Sequence, residues 1–452
     1  MRALLLPIAL TAILAVPAAA RENTPPKPKH LQYREMTLQN GLHVVMHEDH
    51  STPIVNVQVW YHAGSKNEKP GRTGFAHLFE HLMFKGSAHV APEEHSRIIA
   101  RAGGVDNAYT NTDVTVYWET VPANYLEKVL WLEADRMQSL NVSEENFRQE
   151  REVVKEERLT RYENPPYGDL YETLYENAFH THPYHHMTIG SMADLNAASI
   201  AEVRDFYNLF YTPNNATLVI AGDFHTDDVM SMVKKYFGDI RQDIVRVDRA
   251  APPEPPQTEE RRITREKAVP LPAYVAGYHS PRDGDPDYYP LQILSSILSD
   301  GRSSRLYQSL IYEKKLAVDA GADALSTEDP NLFVVQVILN RGASLADVEK
   351  AVDEELTRLK TAPVTDEELE KAKTGVRAQY TFGRQSVQQK ASALGHAAVI
   401  HDDLGSVDNE YDLFMKVTKD DIMRVAKKYL RPENRTVLTV TPAAPPQRGA
   451  NQ

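Results

Sequence analysis

Two stretches whose starts lie 219 residues apart repeat one pattern: IAEVRDFYNLFYTPNNATLVIAGD (200–223) and KDDIMRVAKKYLRPENRTVLTVTP (419–442). Val203 faces Ile422, Phe206 faces Val425 and Phe210 faces Tyr429. Pro213 faces Pro432, Asn215 faces Asn434 and Thr217 faces Thr436. In each, an amphipathic helix ends at a proline turn and a β-branched strand follows. Helix, turn and strand agreeing in phase point to two related domains. At 452 residues the chain is also too long for one hydrophobic core.

The remaining punctuation divides the chain. MRALLLPIALTAILAVPAAA, with Arg2 ahead of an apolar run and small residues at its end, reads as a secretory signal peptide over 1–20. Residues 21–34 are expected as a flexible lead-in, 35–245 as the N-terminal domain, and 246–262 as a linker around AAPPEPPQ (250–257). A homologous C-terminal domain is expected over 263–441 and a disordered tail over 442–452. Lipoprotein attachment and disulfides are excluded, since the chain has no cysteine. A net charge of −13 opposes nucleic-acid binding.

Strands, then helices, then strands follow one another without regular βαβ alternation, which indicates an α+β fold. GLHVVMHED (41–49) and PIVNVQVWYHAG (53–64) are expected to pair as a hairpin, and NAYTNTDVTVYWETV (107–121) as a second strand pair. Helices are expected over 124–140 and over 143–162, the latter with Ser143 as N-cap.

GFAHLFEHLMFKG (74–86) has the apolar density of a buried helix yet carries His77, Glu80 and His81. Residues three and four apart share a helix face, so these three project together. Two imidazoles one turn apart can reach a single zinc ion, and Glu80 points into the same space in an H-x-x-E-H arrangement. A catalytic zinc needs a third protein ligand. The helix at 143–162 offers Glu150 and Glu157, two turns apart and flanking Val153 and Val154 on a face expected to look inward. Periodicity alone does not choose among Glu150, Glu156 and Glu157. FHTHPYHHM (179–187) holds His180, His182, His185 and His186 but no helical spacing and no general base, and is expected as a surface or packing loop. At the 219-residue offset, Ser296, Ser299 and Asp300 replace the three motif residues, so the second half lacks this chemistry.

The stretches GFAHLFEHLMFKGS, GGVDNAYTNTDVTVYWETVP (103–122), EREVVKEERL (150–159) and DGRSSRLYQSL (300–310) together resemble the pitrilysin/insulinase family of inverzincin zinc metallopeptidases, in its short bacterial processing-peptidase-like form. The resemblance runs from about residue 35 to 440. It implies two homologous α/β-roll domains, each an antiparallel-rich sheet with helices on one face, joined clam-like by the linker. It implies a periplasmic endopeptidase that holds one Zn2+ per chain and acts on peptides or unfolded polypeptides. The third ligand becomes Glu157, 76 residues after His81, with Glu150 supporting it and Glu80 as general base. Substrate would add as a strand along Asn107, Ala108 and Tyr109, beside Phe84.

One departure stands out. Self-sufficient members of the family carry an Arg and a Tyr seven residues apart in the second half, where LIYEKKLAV (310–318) has Ile311 and Val318. The chain is therefore expected as the zinc-bearing subunit of a heterodimer with a homologous zinc-less subunit, or otherwise as a homodimer. The competing expectation, a non-catalytic assembly or core subunit, gives no reason to retain Glu80.

Overall fold

The computed structural model describes residues 30–241, 247 and 249–443. The expected signal peptide, residues 21–29 of the lead-in, 242–246 and 248 around the start of the linker, and 444–452 of the tail lie outside the described residues.

The first half contributes β1 (Arg34–Thr37), β2 (His43–Glu48), β3 (Ile54–Tyr61), β4 (Val105–Thr110), β5 (Thr115–Pro122) and β6 (Ala216–Gly222). They form one sheet in the order β1-β2-β6-β3-β5-β4. The second half contributes β7 (Arg261–Lys267), β8 (Ala273–Ser280), β9 (Ala317–Ala324), β10 (Asn331–Leu339) and β11 (Arg435–Pro442). Their order is β7-β11-β8-β10-β9, the same topology without the extra edge strand. Even the single parallel pairing recurs, β2 with β6 in one sheet and β7 with β11 in the other. The repeat seen in the sequence thus extends to whole sheets. Order begins ahead of residue 35, for Leu31 is buried, and β7 starts at Arg261, inside the expected linker.

One expected pairing is overturned. β2 and β3 do not form a hairpin, because β6 lies between them, parallel to β2 and antiparallel to β3. All seven residues of β6 are buried, and so central a strand belongs inside the sheet. The expected pair at 107–121 does form, as β4 against β5. Helices Leu126–Ser139 and Glu144–Arg158 lie where the periodicity put them.

Each sheet carries its own half's helices on one face. Phe75, Leu78, Phe79 and Leu82 pack there with Val44, Val57, Val59 and Phe206 in the first half, while Leu291, Leu294 and Leu298 pack with Tyr274 and Phe333 in the second. The other face of each sheet receives a helix from the opposite half. Helix Val387–Val399 sets Val387, Ala391 and Leu394 against Val45, Trp60 and Val219. Reciprocally, helix Leu170–Ala178 sets Leu170, Leu174 and Ala178 against Val275, Leu332 and Leu438. The exchange is close: a Cβ on Gly395 would sit 2.2 Å from Trp60 Cε2. Between the halves, Lys66 Nζ lies 3.0 Å from Asp113 Oδ1, 2.6 Å from Glu328 Oε2 and 3.0 Å from Asp329 Oδ2. Among the described residues, no helix is long and apolar enough to cross a membrane.

Candidate metal centre

The motif helix spans Phe75–Leu82 and buries Phe75, Ala76, Leu78, Phe79 and Leu82. Its start is built by two residues that the sequence did not advertise. Gly74, the N-cap, has φ 93°, and a Cβ there would sit 2.8 Å from the Ile189 carbonyl oxygen. Glu68 accepts from the Gly74 and Ala76 amides at 2.9 and 2.8 Å, so its carboxyl group satisfies amides that the helix start leaves unpaired. Burial pushes the Glu68 carboxyl up to about 8, although the Ala76, Gly74 and Phe75 amides pull the other way.

The glutamate helix, Glu144–Arg158, starts at Ser143, whose Oγ accepts from the Asn146 amide at 3.2 Å. Asn146 Nδ2 donates to the Lys85 carbonyl at 3.0 Å, holding this helix to the end of the motif segment. At the far end, Arg158 donates to the Gly190 carbonyl and to Glu172. Val154 is buried but Val153 is 44% exposed, correcting the expectation for that face. At 100° per residue the inward stripe is centred on Phe147, Glu150, Val154 and Arg158, and Val153 falls outside it.

Where the two helices meet, His77 Nε2 lies 3.3 Å and His81 Nε2 3.5 Å from Glu157 Oε2. One ligand atom from each of the three residues lies within 4.8 Å of the others. Glu80 Oε2 is 3.3 Å from His77 Nδ1. Glu150, 3% exposed at its side chain, brings Oε2 to 3.4 Å from His81 Nδ1 and Oε1 to 3.1 Å from Lys85 Nζ. Glu156, the alternative that periodicity left open, is exposed to solvent. Two imidazoles and a carboxylate converging beside a second carboxylate suit a zinc ion with an open coordination position.

The electrostatics follow from this crowding. Burial opposes charge on His77, but hydrogen bonds to Glu157 and Glu80 outweigh it and raise the imidazole to about 9. Burial alone would raise Glu80; hydrogen bonds from His77 and Thr110 bring it below the ordinary glutamate range. Glu150 is lowered in the same way by His81 and Lys85, against its burial. Glu157 is lowered first by its hydrogen bond with His77. All three carboxyls are thus held ionised.

Among the described residues β4 is an edge strand, paired only with β5. Asp106, Ala108 and Thr110 form its half-buried face, and Thr110 reaches Glu80. Asn107 and Tyr109 point to the opposite, exposed face, with the Tyr109 ring edge-on to Trp60 at 6.2 Å. Asn107 Oδ1 accepts from the Ala108 amide at 2.9 Å. Phe84 packs one turn beyond the motif, its ring 5.5 Å from the Arg136 guanidinium and edge-on to His95. That pair belongs to a buried network which sequence reading missed. In it, Arg136 meets Glu133 and Glu119, and His95 Nε2 lies 3.0 Å from Glu119 Oε1. Residues spread over 95–136 and brought together by three elements leave no local signal. The His180–His186 loop is held by Glu254, which accepts from the His180, Thr181 and His182 amides. None of its histidines joins a group of ligands among the described residues.

A family profile described as insulinase (peptidase family M16) matches residues 43–191, and one described as peptidase M16 inactive domain matches 197–376. The chain is 32% identical over 422 residues to a protein of Helicobacter pylori (strain ATCC 700392 / 26695) named zinc protease PqqE, covering 92% of this chain and 93% of that one. Its fold matches the crystal structure of a protease from Helicobacter pylori at TM-score 0.88 and 32% identity, over 91% of this chain and 100% of that chain. It also matches the first half of the periplasmic protease PqqL from Escherichia coli at TM-score 0.75 and 18% identity, over 92% and 93%. With two related sheets, an H-x-x-E-H helix facing a glutamate helix, and these likenesses over nearly the whole chain, the protein belongs to peptidase family M16, the insulinase family.

Proposed function

We propose that this chain is a zinc-dependent endopeptidase of the periplasm, cutting peptides or unfolded polypeptides as the catalytic subunit of a heterodimer. The observation that carries the reading is the meeting of His77, His81 and Glu157 with Glu80 at one point, beside an open sheet edge. The zinc-protease name of the Helicobacter relative and the signal-like N-terminus support it.

When bound by His77, His81 and Glu157, a single zinc supplies a Lewis acid and acidifies water from about 15.7 to about 7. Glu80 handles the proton. Held ionised by His77 and Thr110, its carboxylate takes a proton from the attacking water and returns it to the leaving amine nitrogen. Glu150 fixes the His81 ring through Nδ1, the orienting role that carboxylates behind ligating histidines play. The free edge of β4, at Asn107, Ala108 and Tyr109, offers backbone groups to an extended peptide, and Phe84 lies alongside.

The heterodimer rests on two positions of the second half. Val318 is 50% exposed on β9, the edge strand of the second sheet, and Ile311 packs into the second core, so neither brings a guanidinium or phenol to a substrate. A homologous zinc-less subunit carrying such a pair would complete the site; a homodimer is the other possible outcome.

The test measures peptide cleavage and zinc on the same sample of mature chain, for wild type and Glu80→Gln, with and without a candidate partner. The expected result is about one zinc at this centre in both forms, with cleavage lower in Glu80→Gln by about 10²–10⁴-fold. Zinc retained with no cleavage in any pairing would sink the peptidase reading in favour of an assembly subunit. Full activity as a stable monomer would sink the heterodimer alone.

A further inference from the structure

The second half lacks the motif residues, yet it holds another convergence of metal-binding side chains. Asp283 follows β8, His396 sits on helix Val387–Val399, and His401 lies just beyond that helix. His396 Nε2 is 3.1 Å from Asp283 Oδ2, and His401 Nε2 is 3.1 Å from Asp283 Oδ1. One ligand atom from each of the three lies within 4.8 Å of the others, as at the His77–His81–Glu157 centre. Glu410 Oε1 adds a fourth donor 3.9 Å from His401 Nε2.

Three features distinguish this cluster from a surface ion pair. Its centre is buried: the Asp283 and His401 side chains are 4% and 6% exposed, with His396 and Glu410 half-buried around them. Asp283 Oδ1 and His401 Nε2 are both enclosed and face each other at 3.1 Å, with no further hydrogen-bond partner among the described residues. Its outward atoms are held, as ligands usually are by surrounding groups. His401 Nδ1 is 2.8 Å from Ser406 Oγ and Tyr380 donates to Glu410 Oε2 at 3.3 Å, while Ser326 Oγ donates to Asp283 Oδ2, the oxygen that also faces His396. Asp283, His396 and Glu410 also line a cavity of about 450 Å³, which gives an ion and its water a way in.

We propose that Asp283, His396 and His401, with Glu410 as fourth donor, form a second divalent-metal site, suited by its donors to zinc. Its place in the fold assigns it a structural role. The apolar face of helix Val387–Val399 lies on the first sheet, while His396 and His401 reach back to Asp283 and Glu410 of the second half. An ion there ties the exchanged helix to its own domain and so braces the junction between the halves. The proposal is independent of the catalytic reading, because the residues of the two centres do not overlap.

The experiment uses the full mature chain with its purification tag removed, stripped with chelator and reloaded with Zn2+. In a His81→Ala, Glu157→Gln background, which removes the first centre, about one zinc per chain is expected to remain and to raise the thermal midpoint. Adding His401→Ala, or separately Asp283→Asn, is expected to remove that zinc and the shift. Cobalt loading of the background variant should give the visible absorption of a four-coordinate site, lost in the same two variants. If His401→Ala does not fold, His396→Gln, at a side chain 36% exposed, carries the comparison. A background variant that binds no stoichiometric zinc would overturn the proposal, as would zinc that persists through the Asp283, His396 and His401 substitutions. Zinc lost from the second centre with peptidase activity intact would uphold it and leave the catalytic reading untouched.

Discussion

At the scale of single residues, the roles at the first centre separate by what each side chain touches. Glu157 faces both imidazoles through one oxygen, so Glu157→Gln should bind about one zinc fewer per chain than wild type, as metal analysis after dialysis would show. Glu150 touches only the far nitrogen of His81 and the Lys85 ammonium. Glu150→Gln should therefore keep zinc at saturating metal while affinity or cleavage falls by about 10–100-fold. If the two variants lost zinc equally, the distinction between ligand and support would fail. The His77–Glu80–His81 triplet was legible because three- and four-residue spacings are a local property of a helix. Asp283, His396 and His401 were not legible. The two histidines are five apart, off helical phase, and their carboxylate partner is 113 residues away.

At the scale of the element, the motif helix depends on how it begins. Gly74 has a positive φ and lies against the Ile189 carbonyl, whereas Gly71 has φ 73° with nothing within 4 Å of a Cβ position. Both Gly→Ala substitutions carry the left-handed strain of about 1–2 kcal/mol, but only Gly74→Ala adds a backbone clash. Denaturant midpoints should thus fall further for Gly74→Ala, by a total of about 2–4 kcal/mol, and its zinc content should fall with them. Equal losses at the two glycines would show that the Gly74–Ile189 contact relaxes freely.

At the scale of the whole molecule, stability is concentrated where the halves interlock. Lys66, 2% exposed, sits among Asp113, Glu328 and Asp329, so Lys66→Met would strand carboxylates and cost about 3–5 kcal/mol in a denaturant titration. A cost under about 1 kcal/mol would mean that water reaches the cluster. Asp329 also sets a pH dependence. Burial opposes its charge, but the hydrogen bond from His182 and the Lys66 charge lower it to about 2. A depressed carboxyl stabilises the fold fully above its unfolded value near 4 and progressively less as pH falls through the folded value. The stability gap between wild type and Asp329→Asn, about 1–2 kcal/mol at pH 7, should therefore close between about pH 4 and pH 2. A gap independent of pH would assign it to packing instead.

The sequence by itself determined the duplicated plan, the helices that carry the site and the three polar residues on the motif helix, because each is written in local periodicity or in a repeat within the chain. Tertiary structure alone decided the rest. It inserted β6 between β2 and β3 and exchanged Leu170–Ala178 and Val387–Val399 between the sheets, and it set against the imidazoles the Glu157 that the family resemblance implied but periodicity could not choose. These are contacts between segments far apart in the chain. Their partners are chosen by which faces dock, and no local pattern of residues records that choice.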